Sequence, residues 1–139
     1  MKSILLDAGA MIALFAVDDQ HHRRFDLLVK EHACSGLRLL TTWPCVAEAC
    51  HILSTPQRLE LLHWLELGGA IVYSLEPFQL GDLIHWMRKY SETGKRAMDF
   101  ADATLIWLAE EAGVTEIMTV DVADFSRYRL PDGRAFKLL

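Results

Sequence analysis

Hydrophobic positions along the chain fall into two kinds of segment that alternate. Short continuous apolar runs occur at Ser3–Leu6, Leu37–Thr41, Ala70–Tyr73, Glu116–Val120 and Ala135–Leu138. Runs of four or five apolar residues suit strands buried on both faces of a parallel sheet. Between them lie longer segments with helical spacing. Residues 9–17 and 20–34 predict two helices separated by Asp18-Asp19-Gln20. Residues 43–67 predict two more, broken near Ser54-Thr55-Pro56; Thr42 is placed to cap the first, with Pro44 in its first turn, and Gly68-Gly69 ends the second. Residues 77–91 predict a helix with Pro77 at its start and Gly94 beyond its end. Residues 99–112 predict another, capped by Asp99 or the residue before it and stopped by Gly113. A short turn follows at 122–127. Strands alternating with helices in this order predict a three-layer α/β/α sandwich with a mostly parallel central sheet, one domain over residues 1–139.

Composition agrees with a packed domain. Of 139 residues, 52% are hydrophobic and 24% charged, which excludes a disordered chain. No run reaches the ~18 apolar residues of a membrane span. The N-terminal run is interrupted by Asp7, foreign to the apolar stretch of a signal peptide, so a cytoplasmic protein is expected. Cys34, Cys45 and Cys50 match no zinc spacing and are expected to be reduced, mostly buried thiols. The four tryptophans are expected to pack, with interface roles for Trp64 and Trp86 as the alternative. The net charge of −5, from 14 basic and 19 acidic residues, argues against coating of a polyanion by bulk positive charge.

In folds of this class ligands bind beyond the carboxyl ends of the strands. Asp7 directly follows the first strand, and Asp121 follows the fourth. If these strands are parallel, both carboxylates project from one edge. Asp102 shares a helical stripe with Ile106 and Ala109 and is therefore expected to face the core, with Asp99 one turn earlier. Glu48 stands in Trp43-Pro-Cys-Val-Ala-Glu-Ala-Cys-His-Ile-Leu, apolar almost all round, and is expected within an apolar face. Singly, such residues are caps, turn residues or solvated charges. Jointly, they repel one another unless a cation binds or some are protonated. An all-oxygen donor set without His or Cys points to Mg²⁺ or Mn²⁺.

These residues carry a resemblance. Ile4-Leu-Leu-Asp7 with Ile12-Ala-Leu-Phe15, then Thr41-Thr42 with Val46-Ala-Glu48, then Asp99-Phe-Ala-Asp102-Ala103 with Ile106 and Ala109, and finally Ile117-Met-Thr119-Val-Asp121 with Asp124-Phe125 resemble a PIN domain over nearly the whole chain, in particular the VapC-like toxin ribonucleases. The resemblance implies an Mg²⁺- or Mn²⁺-dependent ribonuclease, the toxin of a type II toxin–antitoxin pair, with RNA as substrate, an antitoxin as partner and a possible homodimer. It implies Asp7, Glu48, Asp102 and Asp121 as catalytic acids. Asp7, Asp102 and Asp121 would be direct ligands, Glu48 a ligand directly or through water, Asp99 an additional acid and Thr119 a supporting hydroxyl. The chain departs from the family in Asp7-Ala8-Gly9-Ala10, where a Ser, Thr or Asn commonly follows the first acid; Gly9 would instead let the backbone approach a phosphate. Arg88, Lys89, Lys95 and Arg96 are the candidate RNA-binding cations. The alternatives are a PIN-like nucleic-acid-binding module without catalysis and, more remotely, a receiver-type phosphoacceptor. The latter would require a middle strand ending in Asp, whereas this one ends at Tyr73-Ser74.

Overall fold

The structure is a computed structural model that describes residues 1–91 and 96–139. Among these residues five strands form one sheet: β1 (Lys2–Leu6), β2 (Leu37–Thr42), β3 (Ile71–Tyr73), β4 (Glu116–Met118) and β5 (Lys137–Leu138), in the order β3-β2-β1-β4-β5. Every strand pair is parallel, with Ile4 opposite Leu39, Leu6 opposite Met118, Leu40 opposite Ile71 and Ile117 opposite Leu138. Among the described residues seven α-helices connect them: α1 (Ala8–Phe15), α2 (His22–Ala33), α3 (Trp43–Ile52), α4 (Thr55–Glu66), α5 (Leu80–Lys89), α6 (Phe100–Ala112) and α7 (Val122–Arg127).

The chain first steps outward, β1 to β2 to β3, and then crosses back to β4 on the other side of β1. Right-handed crossovers in opposite directions put the helices of the two halves on opposite faces of the sheet. The result is the expected α/β/α sandwich. The reversal occurs between β1 and β4, so this pair marks the switch point of the sheet, where connections diverge and leave a crevice. β1 is central, and Ile4, Leu5 and Leu6 are wholly buried. The edge strands β3 and β5 are shorter and more exposed than two-sided burial would give, because each has a neighbour on one side only. The last apolar run contributes just Lys137–Leu138 to the sheet, while Ala135 pairs antiparallel with Arg129.

The helix boundaries follow from their caps. Ser54 and Gln57 form a reciprocal capping box at the start of α4, and Pro44 lies in the first turn of α3. Gly113 ends α6 in the left-handed conformation. Pro77–Gln79 forms a 3₁₀ turn, so α5 begins three residues later than Pro77 suggests. Its expected stop, Gly94, lies outside the described residues. Thr42 occupies the N-cap of α3 but does not cap it. Its hydroxyl instead lies 2.7 Å from that of Thr104 on α6, both fully buried, and Cys45 Sγ approaches the Ala101 carbonyl. These contacts tie the first turn of α3 to the first turn of α6 above the carboxyl edge of the sheet. Cys45 is buried as expected, Cys50 half-buried and Cys34 exposed, all unpaired. Trp86 and Trp107 are buried, whereas Trp43 is 52% exposed, contrary to a packing role.

Trp64 packs edge-to-face on Phe15, with ring centroids 5.4 Å apart, and lies over Gly69. A Cβ at Gly69 would stand 2.1 Å from the indole Cε2, so a glycine is required there by close approach rather than by backbone angle. Gly69→Ala is expected to destabilise the fold by about 1–3 kcal/mol, as overpacking does. Urea unfolding would measure it; an unchanged midpoint would show that the Trp64 ring moves aside freely.

Candidate functional site

The carboxyl ends of β1 and β4 open onto a cleft of 280 Å³ lined by Asp7, Gly9, Glu48, Arg96, Asp99, Asp102, Val120 and Asp121, with Ala8 and Ile12. All five acids singled out in the sequence therefore line one cleft, although they come from four separate segments. Asp7 is the residue between β1 and α1. Its Oδ1 accepts from the Ala8 N–H at 2.7 Å and its Oδ2 from the Thr119 hydroxyl at 2.8 Å. Thr119 also accepts from the Asp121 N–H at 3.0 Å, so one hydroxyl fixes both strand-end acids relative to each other. Asp121 caps α7, accepting from the Asp124 N–H, and Asp99 caps α6, accepting from the Asp102 N–H at 2.8 Å. Asp7, Asp99 and Asp121 thus sit at helix N-caps and Asp102 in a first turn, where orphan N–H groups favour negative charge.

Asp102 is buried on its core-facing stripe, as its spacing predicts, and its Oδ2 accepts from the Tyr128 hydroxyl at 2.8 Å. Glu48 differs from expectation. It is exposed at the cleft mouth, because α3 turns that part of its surface outward rather than into an apolar face. Gly9 does not offer open backbone. A Cβ there would lie 2.4 Å from Val120 Cγ2, so Gly9 makes room for Val120 to pack over the start of α1.

Three residues outside the acidic set read from the sequence complete the site: Asp124, Arg127 and Tyr128. Asp124 is buried and lies one turn from Asp121 on α7. Oxygen atoms of Asp102, Asp121 and Asp124 all lie within 4.8 Å of one another. Arg127 reaches Asp124 Oδ1 at 3.0 Å. Tyr128 anchors Asp102 and is held by edge-to-face contacts with Tyr90 and Phe125, at 5.0 and 5.1 Å between centroids. The i, i+3 spacing of Asp121 and Asp124 was the available signal; it is also the spacing of an ordinary cap. Among the candidate cations, Arg96 stands 3.8 Å from Asp121 and from Asp124. Arg88 and Lys89 are exposed at the end of α5 and do not line the cleft. Lys95 lies outside the described residues.

The electrostatics follow from crowding. Burial pushes the Asp7 carboxyl up to about 6, against the opposing pull of its hydrogen bonds to Thr119 and Ala8, with Glu48 and Asp121 raising it further. Asp102 is pushed up to about 8, first by burial and then by the charges of Asp99 and Asp7. Burial also raises Asp121 and Glu48, helped by Asp124 and by Asp99 respectively. Arg96 is shifted the other way in effect, its charged form favoured by Asp121 and Asp124. The donor set fits a hard divalent cation. It consists of carboxylate oxygens, and Asp124 Oδ2 is buried without a hydrogen-bond partner among the described residues, with Arg96 Nε 3.8 Å away, a position that closer positive charge would stabilise.

No protein-family model and no curated protein matches the chain. Among solved structures it is similar to Mycobacterium tuberculosis VapC20, a sarcin–ricin loop cleaving toxin, with a TM-score of 0.66 at 16% identity, over 86% of this chain and 91% of that one.

Two outcomes are expected. Asp7 and Asp102 bind protons more tightly folded than unfolded, so without metal the fold holds more protons than the unfolded chain above the ordinary carboxylate value of 3.8. Stability should therefore fall as pH rises, through about 6 for Asp7 and about 8 for Asp102. Denaturant melts in chelator between pH 5 and 8.5 measure this, and Asp102→Asn should remove the upper part of the decline; a stability that climbs over that range would contradict the crowding. Conversely, Mg²⁺ or Mn²⁺ at ~100 times its dissociation constant should stabilise the fold by about 2.7 kcal/mol. Asp124→Asn should reduce that gain, and no thermal shift at millimolar metal would rule against a cation here. Geometry and comparison agree on one point: this chain has the PIN-like fold of the VapC20 toxin.

Proposed function

We propose that the protein is a metal-dependent ribonuclease and the toxin of a toxin–antitoxin pair, with Mg²⁺ or Mn²⁺ as its ion, RNA as its substrate and an antitoxin protein as its partner. The observation that carries this reading is the convergence of Asp7, Glu48, Asp99, Asp102, Asp121 and Asp124 at the switch point of a sheet with the fold of a known RNA-cleaving toxin.

Asp102, Asp121 and Asp124 would hold the ion, their oxygens being the most closely grouped, with Asp7 completing the set from the strand end. Bound there, a divalent ion supplies positive charge to the phosphoryl oxygens and lowers the pKa of a coordinated water. Thr119 keeps Asp7 in its rotamer, and Tyr128 does the same for Asp102. Glu48 stands at the mouth, where solvent and substrate enter, and burial and Asp99 raise its affinity for protons. That suits it to take the proton of the attacking water. Arg96 is the one cation lining the cleft among the described residues and would meet the phosphodiester as it arrives. No Ser, Cys or His among the described residues lines the cleft, so direct attack by water fits better than a covalent intermediate.

Incubation of the protein with RNA, with and without Mg²⁺ or Mn²⁺, tests the proposal. Metal-dependent scission is expected, and Asp7→Ala should slow it by at least about 100-fold, in line with loss of a group around a metal. RNA binding without scission in either metal would favour the non-catalytic binding module, and scission unchanged in Asp7→Ala would place the chemistry elsewhere.

A further inference from the structure

The carboxyl edge of the sheet carries a second cleft of opposite chemistry. It encloses 360 Å³ beyond the ends of β2 and β3, and Trp43, Tyr73, Leu75, Leu80 and Phe100 form its apolar walls. No charged side chain lines it among the described residues. Its rings are poorly used as packing: Trp43 is 52% and Phe100 42% exposed. Its size is that of a small-ligand pocket.

Its position relates it to the acids. Along the edge the strand ends present, in order, Asp121 after β4, Asp7 after β1, Trp43 after β2 and Tyr73 at the end of β3. Strands lie about 4.8 Å apart, so the centres of the two clefts are separated by two strand spacings, roughly 10 Å. Stacked nucleotides rise about 3.4 Å each, which places the apolar cleft within about three nucleotides of a phosphate held at the acids. The start of α6 joins the two directly: Asp99 lines the acidic cleft, and Phe100, the next residue, lines the apolar one. The contacts of Thr42 with Thr104 and of Cys45 with Ala101 fix the first turn of α3, and with it Trp43, against that same helix start.

We propose that this cleft is a nucleobase subsite, in which Trp43 and Phe100 stack on an unpaired base of single-stranded RNA lying one to three nucleotides from the scissile phosphate. The inference rests on the ribonuclease reading for the identity of its ligand. Stacking on aromatic faces tolerates any base and needs no positive charge, which suits a site whose acidic cleft is lined by one cation, Arg96, among the described residues. A second apolar groove, with Leu62, Leu65 and Val72, lies on the far side of Trp43. It makes a contact between copies of the chain the competing outcome.

The test uses fluorescein-labelled single-stranded RNA hexanucleotides with Mg²⁺, in an Asp7→Asn background that keeps the probe intact. Fluorescence anisotropy should show Trp43→Ala and Phe100→Ala each weakening binding about tenfold, with Trp43→Phe restoring most of the loss. An abasic nucleotide at one position near the scissile bond should weaken binding to the parent by a similar factor and cost nothing further in Trp43→Ala. Circular dichroism checks that the variants fold. Equal binding by parent and Trp43→Ala overturns the subsite, and if the native protein still cuts RNA, the ribonuclease reading survives that result. Binding that depends on Trp43 without cutting by the native protein supports the subsite and removes the hydrolytic reading. No binding of any probe overturns the subsite too. Unchanged RNA binding with an altered sedimentation coefficient in Trp43→Ala assigns the face to contacts between copies of the chain.

Discussion

Six carboxylates meet where the strand order reverses between β1 and β4, and much of the surrounding structure can be understood as what is needed to hold them there. Asp7, Asp102 and Asp124 are buried, and each has a dedicated donor: the Thr119 hydroxyl, the Tyr128 hydroxyl and the Arg127 guanidinium. Three of the acids cap or precede helices, so backbone N–H groups supply further positive potential. These donors do not suffice to keep all the acids ionised. Asp7 and Asp102 retain raised affinities for protons, and one oxygen of Asp124 has no hydrogen-bond partner among the described residues. The remaining deficit is what a divalent cation would supply. The fold accordingly carries a local electrostatic cost at the place where binding can relieve it.

The charge of the whole chain takes on a different meaning in this light. With the five acids read from the sequence set aside, fourteen acidic residues face fourteen basic ones, and the net charge of −5 is concentrated in one cleft. Asp124 adds a sixth, offset by Arg127 and approached by Arg96. Repulsion of polyanions is therefore concentrated at the metal-free cleft rather than spread over the surface as a whole. Beside it lies an uncharged aromatic surface, with Trp43 and Phe100 exposed, that bulk charge does not reveal.

Much of the architecture was legible because the signals are local. The apolar runs 3–6, 37–41 and 70–73 each became a strand to within a residue or two, since a continuous short run flanked by helical spacing has few other solutions. Asp102 was correctly placed at a buried helix start by its stripe with Ile106 and Ala109. Glu48 was not: a helix apolar almost all round does not announce which narrow sector faces a cleft. Trp43 misled for the same reason. Asp124 was hidden by a spacing that an ordinary cap also produces, and Gly9 proved to serve a contact with Val120, 111 residues away, that no local pattern encodes.

By itself the sequence determined the sandwich, the order of its elements and the presence of acids at the ends of β1 and β4, because hydrophobic periodicity and capping act over a few residues. Tertiary structure alone decided which acids share a cation-sized space, which donors brace them and which aromatic rings are left at the surface. Those outcomes depend on the rotation of α3, α6 and α7 about their axes and on the strand order β3-β2-β1-β4-β5. Both are settled by packing between segments far apart in the chain, where a few ångströms separate a ligand from a cap and a stacking surface from a core residue.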